Sequence, residues 1–284
     1  MTATFLLEIG TEELPADFVR QALDQLQQRV SRDLREARLG HGAVSVFGTP
    51  RRLVVSVADL EDRQPDLEED RKGPPVAQAF KDGIPGPAAI GFAKRCGVDP
   101  SALEQRDTPK GPCVFATVLT PGQACVELLQ GLIPQWIDAL QGRRFMRWGT
   151  GAQRFSRPIR WLLALKGSEV IPVVLGGADP EVRSDRFSRA HRLHGDEPLS
   201  IASAEQFGET LAAAGVVVDR AERAKRIRTS LDQSAQAANG TPDCPESLFE
   251  ELVDLVEDPR ILEGTIAERF LQLPPEVIST VMQA

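Results

Sequence analysis

The sequence lacks long apolar runs. None approaches the roughly 20 residues that a membrane-spanning helix needs, although 42% of the 284 residues are hydrophobic. The N-terminal stretch MTATFLLEIGTEELP carries no basic leader and reaches Glu8 after one short apolar run, so no signal peptide is predicted. Cysteine is also scarce: four are scattered without a CxxC pair, which is typical of buried thiols in a reducing cytosol and excludes a zinc ribbon. These absences predict a cytoplasmic protein that contacts no membrane.

The sequence also lacks the short motifs of self-contained catalytic centres. It has no GxxxxGK[ST] phosphate loop, no GxGxxG after a predicted strand, and nothing that resembles GxSxG, HExxH or a kinase signature. His191 and His194 have a spacing that could serve a metal, but no carboxylate completes the set and the nearby glycine and proline indicate a loop. We therefore predict no metal site and no catalytic residue. The alternative is that these histidines form hydrogen bonds, or a second basic patch with Arg186, Arg189 and Arg192.

Acidic side chains are missing from residues 141–168, although the whole chain has a formal charge of −8. This gap contains RRFMRWGTGAQRFSRPIRWLLAL (143–165), with six arginines, two tryptophans and two phenylalanines. Positive charge concentrated in an acidic protein indicates an anion site, arginine's planar fork suits phosphate, and the aromatics offer stacking surfaces for single-stranded RNA. The alternative is a strand or loop whose aromatics pack the core and whose arginines pair with carboxylates of the same chain.

Two other charged patterns leave alternatives open. Glu8, Glu12 and Glu13 surround a strand-to-helix turn, where they either grip an amine or a partner's arginine, or favour the positive end of the following helix. Five basic residues between positions 220 and 228 make a predicted helix basic, which indicates either a solvated face or a face toward RNA.

Hydrophobic periodicity predicts an α+β fold with largely antiparallel strands, packed helices, and mostly helical structure towards the C-terminus. The predicted strands are 4–9, two strands within 44–60 joined by a Gly48-Thr49-Pro50 turn, 114–119, and a hairpin of the runs WLLAL and VIPVVL. The predicted helices are 15–40, 123–140, several after 203, the acidic segment 246–258, and a final one from about 274.

Changes in composition predict the domain organisation. We expect an N-terminal α+β domain over 1–200, in which 70–110 is a small insertion. The charged stretch 61–75 is predicted to be a linker because it ends in a Lys-Gly-Pro-Pro sequence. A mainly helical segment over 201–284 is expected to lead into further downstream domains.

Several segments together resemble one protein family. They are LLEIGTEELPADF (6–18), FGTPRRLVV (47–55), KGPP with AAIGFAKRCG (72–75 and 88–97), MRWG with RFSRPIRWLLAL (146–165), SRAHRLHG (188–195) and ELVDLVEDPRILEGTIAERFLQLPPEVISTVM (251–282). In this order they are similar to the β subunit of bacterial glycyl-tRNA synthetase, over almost the whole chain. SRAHRLHG differs from the SRGHRFH that this family leads us to expect, with Ala190 and Leu193 in place of a glycine and an aromatic.

The resemblance implies an α2β2 assembly that joins glycine to tRNA-Gly with ATP and magnesium. In that family the adenylate chemistry belongs to the α subunit, so ATP and Mg are expected there and no cofactor in this chain. The β subunit contributes tRNA binding and is more than twice this length, with an HD-type domain and a C-terminal anticodon-binding domain. We therefore expect this chain to be the N-terminal part of a β subunit, inactive alone.

The predicted contact residues are arginines. They are Arg147, Arg154, Arg157, Arg160, Arg51 and Arg52. Their expected role is to hold tRNA phosphates near the acceptor end or to dock an acidic surface of the α subunit, and residue spacing does not separate these. Two other hypotheses are a stand-alone RNA-binding module without an enzyme partner, and a metal-dependent hydrolase that uses His191 and His194. DNA is not an expected partner.

Overall fold

The computed structural model describes residues 2–81, 83–195 and 197–282. The strands are β1 (Thr2–Thr11), β2 (Val44–Thr49), β3 (Arg52–Glu61), β4 (Leu67–Pro75), β5 (Phe80–Lys81), β6 (Ile84–Pro85), β7 (Glu104–Arg106), β8 (Cys113–Thr120), β9 (Ile159–Lys166), β10 (Glu169–Val170), β11 (Val174–Leu175), β12 (Val182–Asp185), β13 (Phe187–Arg189) and β14 (Pro198–Ser200). The helices are α1 (Ala16–Glu36), α2 (Val76–Ala79), α3 (Pro87–Cys96), α4 (Cys125–Asp138), α5 (Phe207–Ala213), α6 (Arg220–Ala237), α7 (Glu246–Leu255) and α8 (Pro275–Met282).

The chain forms two compact units. Unit 1 comprises Met1–Asp62 and Val126–Ala284, and unit 2 comprises Arg63–Cys125. The predicted division into 1–200 and 201–284, with 70–110 inserted, stays a prediction. The fold class is confirmed, because the sheets are mostly antiparallel and helices predominate towards the C-terminus.

Unit 1 is built on a seven-stranded sheet with the order β11-β12-β9-β1-β3-β2, in which β10 also pairs with β9. Neighbouring strands are antiparallel except β12, which runs parallel to β9. The central strand β1 contains the apolar run that predicted burial on both faces, and its residues from Phe5 to Thr11 are buried. β1 therefore forms the middle of the core.

Helices cover both faces of this sheet. On one face, the six buried residues of α1 recur at helical spacing, and Trp136 of α4 packs against Phe5 with ring centroids 6.2 Å apart. On the other face, Leu6 and Leu163 pack with Phe207 and Leu211 of α5. Burial of this apolar surface is the main stabilising contribution to unit 1.

Two predicted turns of unit 1 are present. β2 and β3 are antiparallel and their ends, Thr49 and Arg52, face each other across Pro50 and Arg51. The KGS sequence joins β9 and β10, with Glu169 opposite Lys166 and Gly167 at φ +56°. A residue with a side chain rarely adopts this φ, so glycine suits the position. The second apolar run of the predicted hairpin is only partly strand, in β10 and β11.

Unit 2 contains a second antiparallel sheet with the order β4-β8-β7. Its first strand corrects our prediction that 61–75 is a linker. β4 pairs with β8 from Leu67 opposite Thr120 to Pro75 opposite Cys113. The strand escaped sequence analysis because its side chains are mostly exposed and charged, so the periodicity of a buried face is missing. The core of unit 2 lies between this sheet and α3, around Phe92, Val114 and Ala116.

In the part of the chain that the structure describes, no helix combines the length and apolar character that crossing a membrane requires. The four cysteines form no disulfide there.

Candidate anion-binding site

The centre of the acid-free stretch forms a closed loop, which we call the arginine loop, residues 146–155. An isolated antiparallel bridge joins its ends: the Met146 N–H donates to the Phe155 carbonyl at 2.8 Å, and the Phe155 N–H donates back at 3.2 Å. Arg147 and Arg154 follow immediately inside this bridge, and both are exposed. The bridge therefore places two of the predicted contact residues at the same end of one loop.

Hydrogen bonds hold the arginine loop to other parts of unit 1. The Thr150 N–H and hydroxyl both donate to Asp179 Oδ2, at 2.6 and 2.8 Å. These bonds lower the pKa of the Asp179 carboxyl. The Gln153 N–H donates to the Gly177 carbonyl at 2.7 Å, and its side-chain amide donates to Asp138 at 2.7 Å. The loop is thus fixed without using its arginines.

Four arginines of the acid-free stretch are exposed and form neither an ion pair nor a hydrogen bond with the residues that the structure describes. They are Arg143, Arg144, Arg147 and Arg154. Among the residues described, Arg157 donates a hydrogen bond only to the neighbouring Ser156 carbonyl, at 2.8 Å, and it lines a cavity of about 260 Å³ together with Arg143 and Arg144. The alternative that these arginines meet carboxylates of the same chain therefore does not describe this group.

The aromatic residues of the stretch, in contrast, pack inward. Phe155 is fully buried, and its ring lies 5.5 Å from Phe18 and 5.9 Å from Phe145 between centroids. Trp161 is 7% exposed. These rings support the backbone beneath the arginines, so the packing alternative accounts for them.

A cavity of about 540 Å³ collects further arginines at one end of the main sheet. Its lining contains Arg51, Arg160, Arg189 and Arg192 from three separate stretches, the carboxylates Glu12 and Glu181, and Trp161. A second basic patch that includes Arg189 and Arg192 was one of two alternatives predicted from the sequence. The structure joins them to Arg51 and Arg160, because β13 returns to the end of β9 and β1.

Carboxylates of the same chain partly neutralise this sheet-end cavity. Glu12 pairs with Arg160 at 2.7 Å, and Glu13 pairs with Arg192 at 2.9 Å. All four side chains are about half exposed, so each pair contributes little to stability. The glutamates of the strand-to-helix turn thus hold arginines of their own chain, an arrangement that neither of our two alternatives described.

Trp161 forms the wall of the sheet-end cavity and depends on a glycine. The guanidinium carbons of Arg51 and Arg52 lie 5.7 and 5.6 Å from its ring centroid. The indole lies directly over Gly10, where a Cβ would come within 1.8 Å of the ring. The glycine of the EIGTEE sequence is therefore required by a close approach between a strand and an aromatic ring.

Arg52 is part of the interior of unit 1. Its side chain is 0% exposed and pairs with Glu8 and Glu257, both at 3.1 Å. It also donates to the Ser188 hydroxyl at 3.3 Å and the Arg189 carbonyl at 3.1 Å. Burial raises the pKa of Glu8, while Arg52 and the Ser188 hydroxyl oppose that rise. Arg52 thus joins β3 to β1 and to the segment after α7, and the guanidinium of this predicted contact residue is buried within unit 1.

The two histidines sit beside the cavity. The Leu193 N–H donates to His191 Nδ1 at 3.3 Å, and the two imidazole rings lie 6.0 Å apart between centroids. Among residues 2–81, 83–195 and 197–282, no group of three or more histidine, cysteine or acidic side chains is placed to hold a metal ion.

The arginines of the basic helix α6 are held by α7 and by α6 itself. Arg220 pairs with Asp254 and Glu250, Arg226 pairs with Glu222, and Arg228 pairs with Glu246. Arg223 is buried and donates to four backbone carbonyls, and burial lowers its pKa to about 10. Carboxylates of α7, a carboxylate of α6 itself and backbone carbonyls therefore partner the four arginines of α6, which leaves the arginine loop as the more open positive surface.

These features define a mixed α and β protein with a surface suited to an anionic partner. A family profile described as glycyl-tRNA synthetase beta subunit matches residues 5–284. Proteins named glycine–tRNA ligase beta subunit are 44% identical over 283 residues in Trichodesmium erythraeum, 46% over 280 in Picosynechococcus and 45% over 279 in Synechocystis. The alignments cover 98–100% of this chain and 39% of each relative. This chain belongs to the glycyl-tRNA synthetase β-subunit family, as the sequence segments predicted.

Proposed function

We propose that this chain serves a glycine–tRNA ligase by binding tRNA-Gly through the arginine loop and the adjacent arginines. In this proposal it belongs to a β subunit that assembles with an α subunit as α2β2 in the cytoplasm. The adenylate chemistry, with its ATP and magnesium, takes place on the α subunit. Family membership supports the assignment to the ligase.

One observation carries the RNA-binding role: in a chain of charge −8, four exposed arginines form no ion pair or hydrogen bond with any described residue. The carboxylates of the chain pair with arginines elsewhere, including Arg160, Arg192 and Arg220. Exposed guanidinium groups without such partners are available to phosphate oxygens, which they bind through two parallel hydrogen bonds. Because the chain is acidic overall, long-range repulsion elsewhere would favour the approach of a polyanion to these exposed arginines.

The test is tRNA-Gly binding by this chain at low and moderate salt. The variant Arg147→Ala/Arg154→Ala is compared with Arg226→Ala/Arg228→Ala, which removes two exposed arginines that already have carboxylate partners. We expect the first variant to lose at least about tenfold in affinity, because a single hydrogen bond to a charged group contributes about 1.5–3 kcal/mol and about 1.4 kcal/mol corresponds to a factor of ten. Its slope of log affinity against log salt should fall by about 2, since each phosphate contact adds about 0.9. The control should bind like the parent chain.

Two results would redirect the proposal. Equal binding by parent and loop variant would remove tRNA from the arginine loop. If the loop variant then failed to retain a glycyl-tRNA synthetase α subunit in a pull-down, the surface would be a subunit interface instead. A chain that binds tRNA but never associates with an α subunit, within a longer β subunit or alone, would support the hypothesis of a stand-alone RNA-binding module.

A further inference from the structure

Unit 2 contains a positively charged cleft that neither its family nor the arginine loop explains. The cleft has a volume of about 950 Å³ and lies between β4 and α3. Its lining is Arg71, Lys72, Gly73, Pro74, Pro87, Ala88, Gly91, Phe92, Arg95 and Cys96. Three of these side chains are cationic and none is a carboxylate, although unit 2 contains as many acidic as basic residues.

The cations of the cleft are available to a ligand. Lys72 and Arg95 are exposed and form no ion pair with the described residues. Within the described residues Arg71 forms one ion pair, with Glu69 at 3.7 Å, and both side chains are half exposed, so this pair contributes little. Arg71 and Lys72 come from the strand and Arg95 from the helix, which places positive charge on both walls.

The walls between these cations are apolar and small. Phe92 is 5% exposed and packs against Gly73, where a Cβ would come within 2.6 Å of its ring. Pro74 and Pro87 add flat hydrophobic surface. A free phosphate would use only the cations, whereas a ligand with both phosphates and planar apolar groups would use the whole cleft.

Gly91 supplies an independent argument. It lies inside α3, where glycine costs roughly 1 kcal/mol relative to alanine. A Cβ at this position would meet no described atom within 4 Å, so packing in unit 2 does not require the glycine. A glycine that lines a cleft without a packing reason leaves room for a ligand to approach the helix backbone closely. The uncapped first turn of α3, after Gly86, lies at the same cleft and favours an anion there.

We propose that the cleft of unit 2 binds a single-stranded segment of RNA a few nucleotides long, with phosphates held by Arg71, Lys72 and Arg95. Base or ribose surfaces lie against the prolines and over Gly91. The volume is near the upper end of the range of about 300–1,000 Å³ found for ligand pockets, so it admits more than an inorganic anion. The choice of RNA as the polyanion rests on the proposed function. The contact residues do not, because the cleft shares none with the arginine loop.

The experiment measures binding of a fluorescent single-stranded hexaribonucleotide to the whole chain. Lys72→Ala/Arg95→Ala is compared with Lys81→Ala/Lys110→Ala, which removes the same charge from exposed positions of unit 2 outside the cleft. We expect the cleft variant to lose at least fivefold in affinity and about 1.4 in the salt slope, since each single-strand phosphate contact adds about 0.7. The matched control should lose less than twofold.

A second variant tests the cleft without changing its charge. Gly91→Met fills the space above α3, and we expect it to weaken hexaribonucleotide binding at least fivefold while leaving the helix at least as stable. When the same oligonucleotide carries 4-thiouridine, photocrosslinking should attach it to the peptides that contain residues 71–74 and 87–96.

Three outcomes would overturn the inference. The first is unchanged binding by both cleft variants. The second is loss of hexaribonucleotide binding in Arg147→Ala/Arg154→Ala, which would place the oligonucleotide on the arginine loop. The third is displacement of the oligonucleotide by hexaglutamate at equal concentration, which would favour an acidic protein segment as the occupant. Failure of the arginine-loop proposal would be seen in a different measurement, namely unchanged tRNA-Gly binding by the loop variant. That result would not change hexaribonucleotide binding by the cleft variants.

Discussion

The buried arginine at the end of β3 allows a quantitative prediction. Arg52→Met removes the guanidinium but keeps aliphatic bulk, so its main effect is to leave Glu8 and Glu257 buried without their shared cation. Breaking a buried ion pair by removing one partner costs about 3–5 kcal/mol. We expect a decrease of that size in the free energy of unfolding of unit 1 at pH 8.

The cost should depend on pH with a definite sign. Burial already raises the pKa of Glu8 and Arg52 opposes that rise, so removing Arg52 raises the pKa further. A carboxyl whose pKa is higher in the folded state than in the unfolded state contributes stability below its unfolded pKa and loses it as the pH rises through its folded pKa. The variant should therefore recover stability on acidification, by about 1.4 kcal/mol per pH unit while the folded state holds one extra proton.

The assay is urea denaturation followed by tryptophan fluorescence between pH 6 and 8.5. All three tryptophans (Trp136, Trp148 and Trp161) belong to unit 1, so the signal reports that unit alone. Arg154→Met is the matched control, because the same substitution at an exposed arginine without an ion pair should change stability by less than about 0.5 kcal/mol. A loss below about 1 kcal/mol for Arg52→Met, or a loss that does not vary with pH, would refute the role of Arg52 as the shared partner of two buried carboxylates.

Two further predictions concern residues that support the sheet-end cavity and the arginine loop. Gly10→Ala should destabilise unit 1 by about 1–3 kcal/mol, because the new methyl group would overlap the Trp161 ring. The control is Gly208→Ala, where a Cβ meets no described atom within 4 Å, and it should be neutral or stabilising in the same fluorescence assay. Equal changes in stability for the two variants would contradict this account. Asp179→Ala should loosen the arginine loop by removing the acceptor of both Thr150 bonds, and limited trypsin digestion should then cleave faster at Arg147 and Arg154. Because the pKa of Asp179 is lowered, the stability that this carboxylate contributes is present above the ordinary aspartate pKa and is lost only as the pH falls through the lowered pKa. Titration of Asp179 should therefore not change the cleavage rate of the parent chain between pH 6 and 8. An unchanged cleavage rate in Asp179→Ala would show that the Gln153 bonds and the Met146–Phe155 bridge hold the loop without Asp179.

The sequence by itself determined the family, the fold class and most of the elements of the main sheet. Long periodic or apolar runs, such as those of β1 and α1, encode burial locally, so they can be recognised without knowing their neighbours. The acid-free stretch was also visible, because charge composition is a local property.

Only the tertiary structure separated arginines that look alike in sequence. Arg52 lies opposite Gly10 in the sheet, is fully buried and meets Glu257, 205 residues away, whereas Arg154 lies in a loop without an ion pair to the described residues. Strand register and contacts with residues distant in sequence determine whether an arginine is buried, and the residues next to each arginine specify neither. The same reason explains why β4 resembled a linker, since pairing with β8 makes it a strand, and why the cations of unit 2 meet in a cleft only after folding.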